Sequence, residues 1–192
     1  MKVLVACEFS GIVRDAFIAK GHDAVSCDLL PTERPGPHIQ GDVLEILNDG
    51  WDLMIAHPDC TRLCNSGVQW LHKRNLWKEM EAGALFFKTL LDVDIEHIAI
   101  ENPVMHKYAV RIIGRRQDQS IQPWQFGEDA SKRTCLWLRN LPFLQPTSVI
   151  TKHRYANQSP SGSNKYGPSP DRWKLRSRTF QGIANAMAEQ WG

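Results

Sequence analysis

No run of apolar residues approaches the ~20 needed to cross a bilayer, and the opening Met1-Lys2-Val3-Leu4 reads as the start of a strand rather than a signal peptide. Neither membrane insertion nor secretion is expected. Cysteine is sparse: the five present are an odd number without framework spacing, which points to reduced thiols and a cytoplasmic setting. Internal repeats are absent, and with 42% apolar and 23% charged residues the chain is neither disordered nor a coiled coil. No G-x-G-x-x-G occurs, which disfavours a dinucleotide dehydrogenase. No H-x-E occurs either, and Cys60 and Cys64 are one residue too far apart for P-C-x-x-C. Zinc deaminase chemistry is therefore not expected, nor a metal held by His57, Cys60 and Cys64.

Net charge is also small, at +2, but its distribution is uneven. Residues 151–178 hold Lys152, Arg154, Lys165, Arg172, Lys174, Arg176 and Arg178 against the single acid Asp171, a local balance of +6. Glu189 is the one charge that follows, so residues 1–150 carry −3. A basic segment on an acidic body suits a polyanion such as nucleic acid. Lys152, Arg154, Lys165, Arg172, Lys174 and Arg176 are the candidate phosphate contacts, with Tyr155, Tyr166 and Trp173 able to stack on unpaired bases.

The 192 residues amount to one domain. Short apolar runs alternate with helix-period stretches through the first hundred residues, the pattern of a parallel sheet flanked by helices. Strands are expected at 2–7, 24–28, 51–56 and 97–101, with a short segment ending at Gly41-Asp42-Val43, and helices at 11–20, 75–93 and 104–113. Residues 121–126 and 134–138 read as strands of a small antiparallel appendage. Four prolines, two glycines and five serines make 145–172 an irregular stretch, within a basic loop segment 145–178, before a closing helix over 179–191. The expected fold is Rossmann-like α/β with a mainly parallel sheet.

In such a sheet ligands bind beyond the carboxyl ends of the strands. Those ends carry Cys7-Glu8-Phe9-Ser10-Gly11, Asp28, Asp42, His57-Pro58-Asp59-Cys60 and Glu101-Asn102-Pro103. A loop with the single glycine Gly11 suits a ligand without phosphates, Asp28 can accept from two ribose hydroxyls, and Asp42 can accept from an exocyclic amine. Together they point to an adenosine-type cofactor. Cys60 is a candidate nucleophile toward an electron-poor ring carbon, and Glu101 a candidate acid or hydrogen-bond partner for a ring nitrogen. Asp59 complicates this pairing, since a carboxylate ~4 Å from a thiolate opposes it by about 1 kcal/mol even with water-like screening. Either the site is impaired, or Asp59 turns away to cap the Thr61-Arg62 turn or to pair with Arg62 or Lys132.

The ordered set of strand ends resembles the DNA cytosine-5 methyltransferases, specifically their short, phage-like members. Phe9-Ser10-Gly11 is similar to their cofactor loop, Asp28 to the acid on the ribose, Gly41-Asp42-Val43 to the adenine contact, and 52–60 to the strand leading to the nucleophile. Glu101-Asn102-Pro103 and the Lys132–Trp137 strand follow in the same order, and 182–191 resembles the closing helix. The resemblance implies S-adenosyl-L-methionine held by Phe9, Ser10, Gly11, Asp28, Asp42 and Pro58. It also implies methyl transfer to carbon-5 of cytosine by Cys60, Glu101 and Arg133, with Asp59 beside the nucleophile. Three departures stand out. Asp59 replaces the proline before the nucleophile, Cys135 replaces a second arginine, and only about 40 residues separate the arginine strand from the closing helix, too few for a separate recognition lobe. The substrate is accordingly cytosine in duplex DNA, in a single strand, or in a free nucleotide. A binding module that has lost catalysis is the other alternative.

Overall fold

Strict alternation along the apolar runs decides the architecture. In β1 (Lys2–Ala6), Val3 and Val5 enter one core cluster while Leu4 and Ala6 enter a second. In β4 (Leu53–Ala56), Leu53 and Ile55 join the first and Met54 and Ala56 the second. A strand buried on both faces must be central and covered on both sides. The computed structural model, which describes residues 1–161 and 169–192, bears this out. Among the described residues seven strands run in the order β3-β2-β1-β4-β5-β7-β6, where β2 is Asp23–Asp28, β3 His38–Gln40, β5 His97–Asn102, β6 Gln119–Ile121 and β7 Thr134–Arg139.

The first five strands are mutually parallel, and β7 lies antiparallel between β5 and β6. Helices α1 (Ile12–Ala19) and α6 (Gln181–Trp191) cover one face, where α6 buries Ile183, Met187 and Trp191. On the other face lie α2 (Val68–Arg74), α3 (Trp77–Asp92) and α4 (Lys107–Ile113), with Phe87 set edge-on to Trp137 of β7 at 5.0 Å. The chain reverses its direction of travel across the sheet between β1 and β4, the switch point at which such sheets bind ligands.

Several expectations need correction. The strand read at 121–126 ends at Ile121, because Pro123 has no N–H to give a ladder and opens a 3₁₀ turn, Pro123–Gln125, that Gln122 and Gln125 cap reciprocally. The stretch 145–178 is not wholly irregular, since Arg172–Ser177 forms a short helix, α5. Helix α2 has no counterpart in the sequence reading; it ends at Asn75, which takes a left-handed conformation (φ 51°) and separates it from α3. Lys165 and Tyr166 lie outside the described residues. No helix among the described residues is long and apolar enough to cross a membrane.

Candidate functional site

The loop after β1 turns sharply, with Cys7 at φ 57° and Gly11 at φ 71°. A β-carbon at Gly11 would sit 2.5 Å from the Arg14 guanidinium, so space as well as backbone geometry demands glycine there. The buried Glu8 carboxylate accepts from Ser10 Oγ (3.0 Å), the Val13 N–H (2.7 Å) and the Arg14 N–H (3.3 Å). It therefore occupies the anion position at the start of α1 where a phosphate would otherwise bind. Glu8 is among the strand-end residues, but sequence alone assigns it no role, because its helix partners lie five and six residues downstream and form no recognised capping pattern.

Arg14 is fully buried and holds the loop after β2. It meets Asp15 at 2.7 Å, Ser26 Oγ at 3.2 Å, Thr32 Oγ1 at 3.3 Å and the carbonyls of Arg34 and Pro35. Asp28, at the end of β2, accepts from the Leu30 N–H at 2.9 Å, and burial lifts its carboxyl above the ordinary value. Asp42 lies two residues beyond β3 and accepts from the Leu44 N–H at 3.0 Å. Cys7 sits among these acids: burial first, then the charges of Asp28, Cys27 and Asp42, push its thiol up to about 12. Two carboxylates thus converge on the end of β1, a donor-accepting set that fits the hydroxyls and amine of a nucleoside. Phe9 and Ser10 are buried in the same loop.

An open cleft of about 560 Å³ lies beside this loop, lined by Ser10, Ile12, Glu33, Arg34 and Arg178. A second cavity of about 30 Å³, room for a water, is lined by Cys7, Glu8, Phe9, Ser10, His57, Ser177, Arg178 and Thr179. Arg178 lines both. Trp173 of α5 packs against Phe9 with ring centroids 6.0 Å apart, and Arg178 makes a two-pronged ion pair with Glu33 (2.8 Å for both bonds).

The ends of β4 and β5 are joined side chain to side chain. Their register pairs Ala56 with Ile100, so His57 and Glu101 emerge together, and His57 Nδ1 lies 3.0 Å from Glu101 Oε2. Asn102 Nδ2 donates to the Pro58 carbonyl at 3.1 Å. His106, which sequence reasoning passed over, accepts the Ala109 N–H on Nδ1 and so donates from Nε2 to the Arg62 carbonyl at 2.8 Å. The Cys60 loop is thereby stapled to the segment after β5.

Glu101 is buried, which alone would raise its carboxyl, but the Lys132 ammonium and hydrogen bonds from His57 and Thr179 outweigh burial and hold it down at about 2. It is a carboxylate in the free protein. The cation acting on Glu101, and on Cys60, is Lys132 rather than the exposed Arg133, whose charge falls on Cys135 instead. Lys132 Nζ also donates to the Arg176 carbonyl at 2.9 Å and so ties α5 to the site.

The Cys64 N–H donates to the Cys60 carbonyl at 3.1 Å, closing one turn, and the two thiols are coupled, so ionisation of either keeps the other protonated. Ser66 Oγ lies 3.1 Å from the Cys64 sulfur. Cys60 is pushed up by its coupling to Cys64 first, then by burial and by Asp59, while Lys132 opposes them. Asp59 Oδ1 accepts from the Thr61 N–H (2.9 Å) and Thr61 Oγ1 (2.5 Å), the turn-capping alternative. Asparagine keeps one acceptor for that turn and removes the charge. Asp59→Asn should therefore speed alkylation of Cys60 at neutral pH by about fivefold, the equivalent of ~1 kcal/mol, with little change in melting temperature. Mass-resolved iodoacetamide kinetics give the rate.

The basic candidates divide. Lys152 is spent on Asp129 at 2.5 Å, and Tyr155 stacks on Trp124 while its hydroxyl bonds the Ile150 carbonyl. Arg154 and Arg176 are exposed, Lys174 lies over the half-exposed Trp173, and Arg172 has a buried Nε without a partner among the described residues. A basic surface that the sequence reading passed over follows the Cys60 loop. There Lys73 and Arg74 both lie over the exposed Trp70 ring, and residues 61–78 hold four Lys or Arg and no acid.

No protein-family model matches the chain, and no curated protein matches it in sequence. Among solved structures it is similar to a methyltransferase of Entamoeba histolytica, with a TM-score of 0.50, 15% identity, and coverage of 79% of this chain and 57% of that one. It is also similar to a candidate DNA modification methyltransferase encoded within an E. coli prophage, with a TM-score of 0.48, 14% identity, and coverage of 77% and 51%. The chain spans little more than half the length of either. The likeness is one of fold, a mainly parallel sheet with helices on both faces.

Proposed function

We propose that the chain is a single methyltransferase domain that uses S-adenosyl-L-methionine to methylate carbon-5 of cytosine in DNA. One observation carries this reading. The Cys60 loop follows β4 and Glu101 ends the adjacent parallel strand β5, near the loop after β1 in which Glu8 fills the start of α1, and the Lys132 ammonium acts on both Cys60 and Glu101. Bound against Phe9, Ser10, Gly11, Asp28, Asp42 and Pro58, the cofactor supplies an electrophilic methyl group. Cys60 attacks carbon-6 of the ring, and the Glu101 carboxyl, protonated with the base in place, donates its proton to the ring nitrogen that gains electron density as the carbon–sulfur bond forms, and is left as the carboxylate again. Lys132 offsets the charge of both groups, and Arg133, on the exposed rim, steadies the base from outside. A base in a duplex must leave its stack to reach Cys60, at a cost of a few kcal/mol. Arg154, Lys165, Arg172, Lys174 and Arg176, with Lys73 and Arg74, offset that cost through phosphate contacts.

The test is transfer of tritium from labelled cofactor to duplex DNA, single-stranded DNA or dCMP, at several salt concentrations. Transfer to a polymer that weakens steeply with salt is the expected result. Transfer to dCMP alone would make the nucleotide the substrate, and binding of S-adenosylhomocysteine without transfer would identify a module that has lost catalysis.

A further inference from the structure

His57 has no role in the mechanism above, yet its placement is that of a working group. Its side chain is 9% exposed. Glu101, being ionised, can only accept, so the proton of the neutral ring must sit on Nδ1. That leaves Nε2 as a bare acceptor, and Nε2 is buried without a hydrogen-bond partner among the described residues. An orphaned buried acceptor is costly unless something uses it. His57 borders the water-sized cavity whose other walls are the cofactor loop, Cys7 to Ser10, and Thr179, the second hydrogen-bond partner of Glu101. A carboxylate fixing one ring nitrogen while the other is left a bare acceptor, on a residue that lines a cavity, is the arrangement of an oriented general base.

The reaction proposed above needs such a base at this place. Addition of the Cys60 thiolate forms the carbon-6–sulfur bond and makes carbon-5 nucleophilic, so that it takes an electrophile while keeping its hydrogen. To restore the ring, the carbon-5–hydrogen bond must break. Its electron pair re-forms the 5,6 double bond as the carbon–sulfur bond breaks and the thiolate leaves. The carbon that loses the proton is the one the methyl group reaches, so the acceptor must stand between the cofactor loop and Glu101.

We infer that His57 Nε2, oriented by Glu101, is the catalytic base that removes the carbon-5 proton, directly or through one water in the cavity. The proton ends on Nε2, and the resulting imidazolium is neutralised by the Glu101 carboxylate. This inference rests on the cytosine reading of the site.

Exchange at carbon-5 tests it without any cofactor, since a solvent proton can serve as the electrophile and the same base must then remove the original hydrogen. Wild-type protein and His57→Gln are incubated with DNA carrying tritium at cytosine carbon-5, and tritium release to water is counted. Covalent capture is followed in parallel on a denaturing gel with an oligonucleotide containing 5-azacytosine. The expected result is release by the wild type, release slowed at least about 100-fold in His57→Gln, and capture by the variant within a few-fold of wild type. Added imidazole should restore release to His57→Ala. Equal release by wild type and His57→Gln would overturn the inference, as would parallel loss of release and capture without imidazole rescue. Failure of the wild type to capture the oligonucleotide or release tritium would instead overturn the cytosine reading itself.

Discussion

Replacing Cys60 with serine should reduce methyl transfer by on the order of 10³-fold or more while leaving the affinity for S-adenosylhomocysteine and for DNA within a few-fold. A hydroxyl is far harder to ionise than a thiol and adds poorly to a ring carbon, so an intact binding site would be left without its nucleophile. Cys64 cannot take over. It is 8% exposed, its sulfur lies 3.1 Å from Ser66 Oγ, and its segment is pinned by the Cys64–Met105 bridge. Single-turnover transfer from tritiated cofactor, with calorimetry of the product cofactor on the same preparations, measures both quantities. Transfer surviving in Cys60→Ser would show that chemistry does not pass through this sulfur.

Glu101→Gln should affect stability and turnover together. A carboxyl held at about 2 in the folded protein, against an ordinary 4.5, contributes stability that is fully present above pH 5 and is lost as pH falls toward 2. The depressed carboxylate makes the folded state bind fewer protons than the unfolded one, so acid favours unfolding. The shift corresponds to on the order of 3 kcal/mol. Urea melts at pH 7 should show Glu101→Gln less stable by about that amount, because Lys132 and His57 lose the charge they face. Between about pH 4.5 and 2 the two curves should converge, since acid removes the same charge from the wild type. Turnover should fall about 10²- to 10⁴-fold. Parallel stability curves across the acid range would mean that Glu101 is not the group that titrates.

Much of the sheet was legible because β1, β4 and β5 are near-continuous apolar runs, and a strand buried on both faces leaves that mark whatever surrounds it. The edges were less so. β6 has three residues and α5 six, too short for either periodicity to emerge, and Pro123 had to be weighed against an apolar context that still looked strand-like. The strand-end rule found His57, Asp59, Cys60 and Glu101 because their positions follow from the chain alone. It could not assign His57 a partner, since the bond to Glu101 depends on a register 44 residues apart. Nor could it place Lys132 inward and Arg133 outward, because both precede the strand and their orientation is set by packing against Gln122 and Arg176.

The reversal of β7 has a consequence for where variation in such a sheet should be sampled. Every parallel strand delivers its last residues to the rim where ligands bind, whereas β7 delivers its first: Asn102 at the end of β5 faces Cys135 near the start of β7. A mutational library built by randomising positions downstream of each strand would pass over Lys132 entirely and spend its diversity on Asn140 and Leu141, at the far pole of the molecule. The informative positions around β7 lie upstream of it, from Ser131 to Thr134, and a library shifted to that side explores the same rim as one placed after β4 or β5.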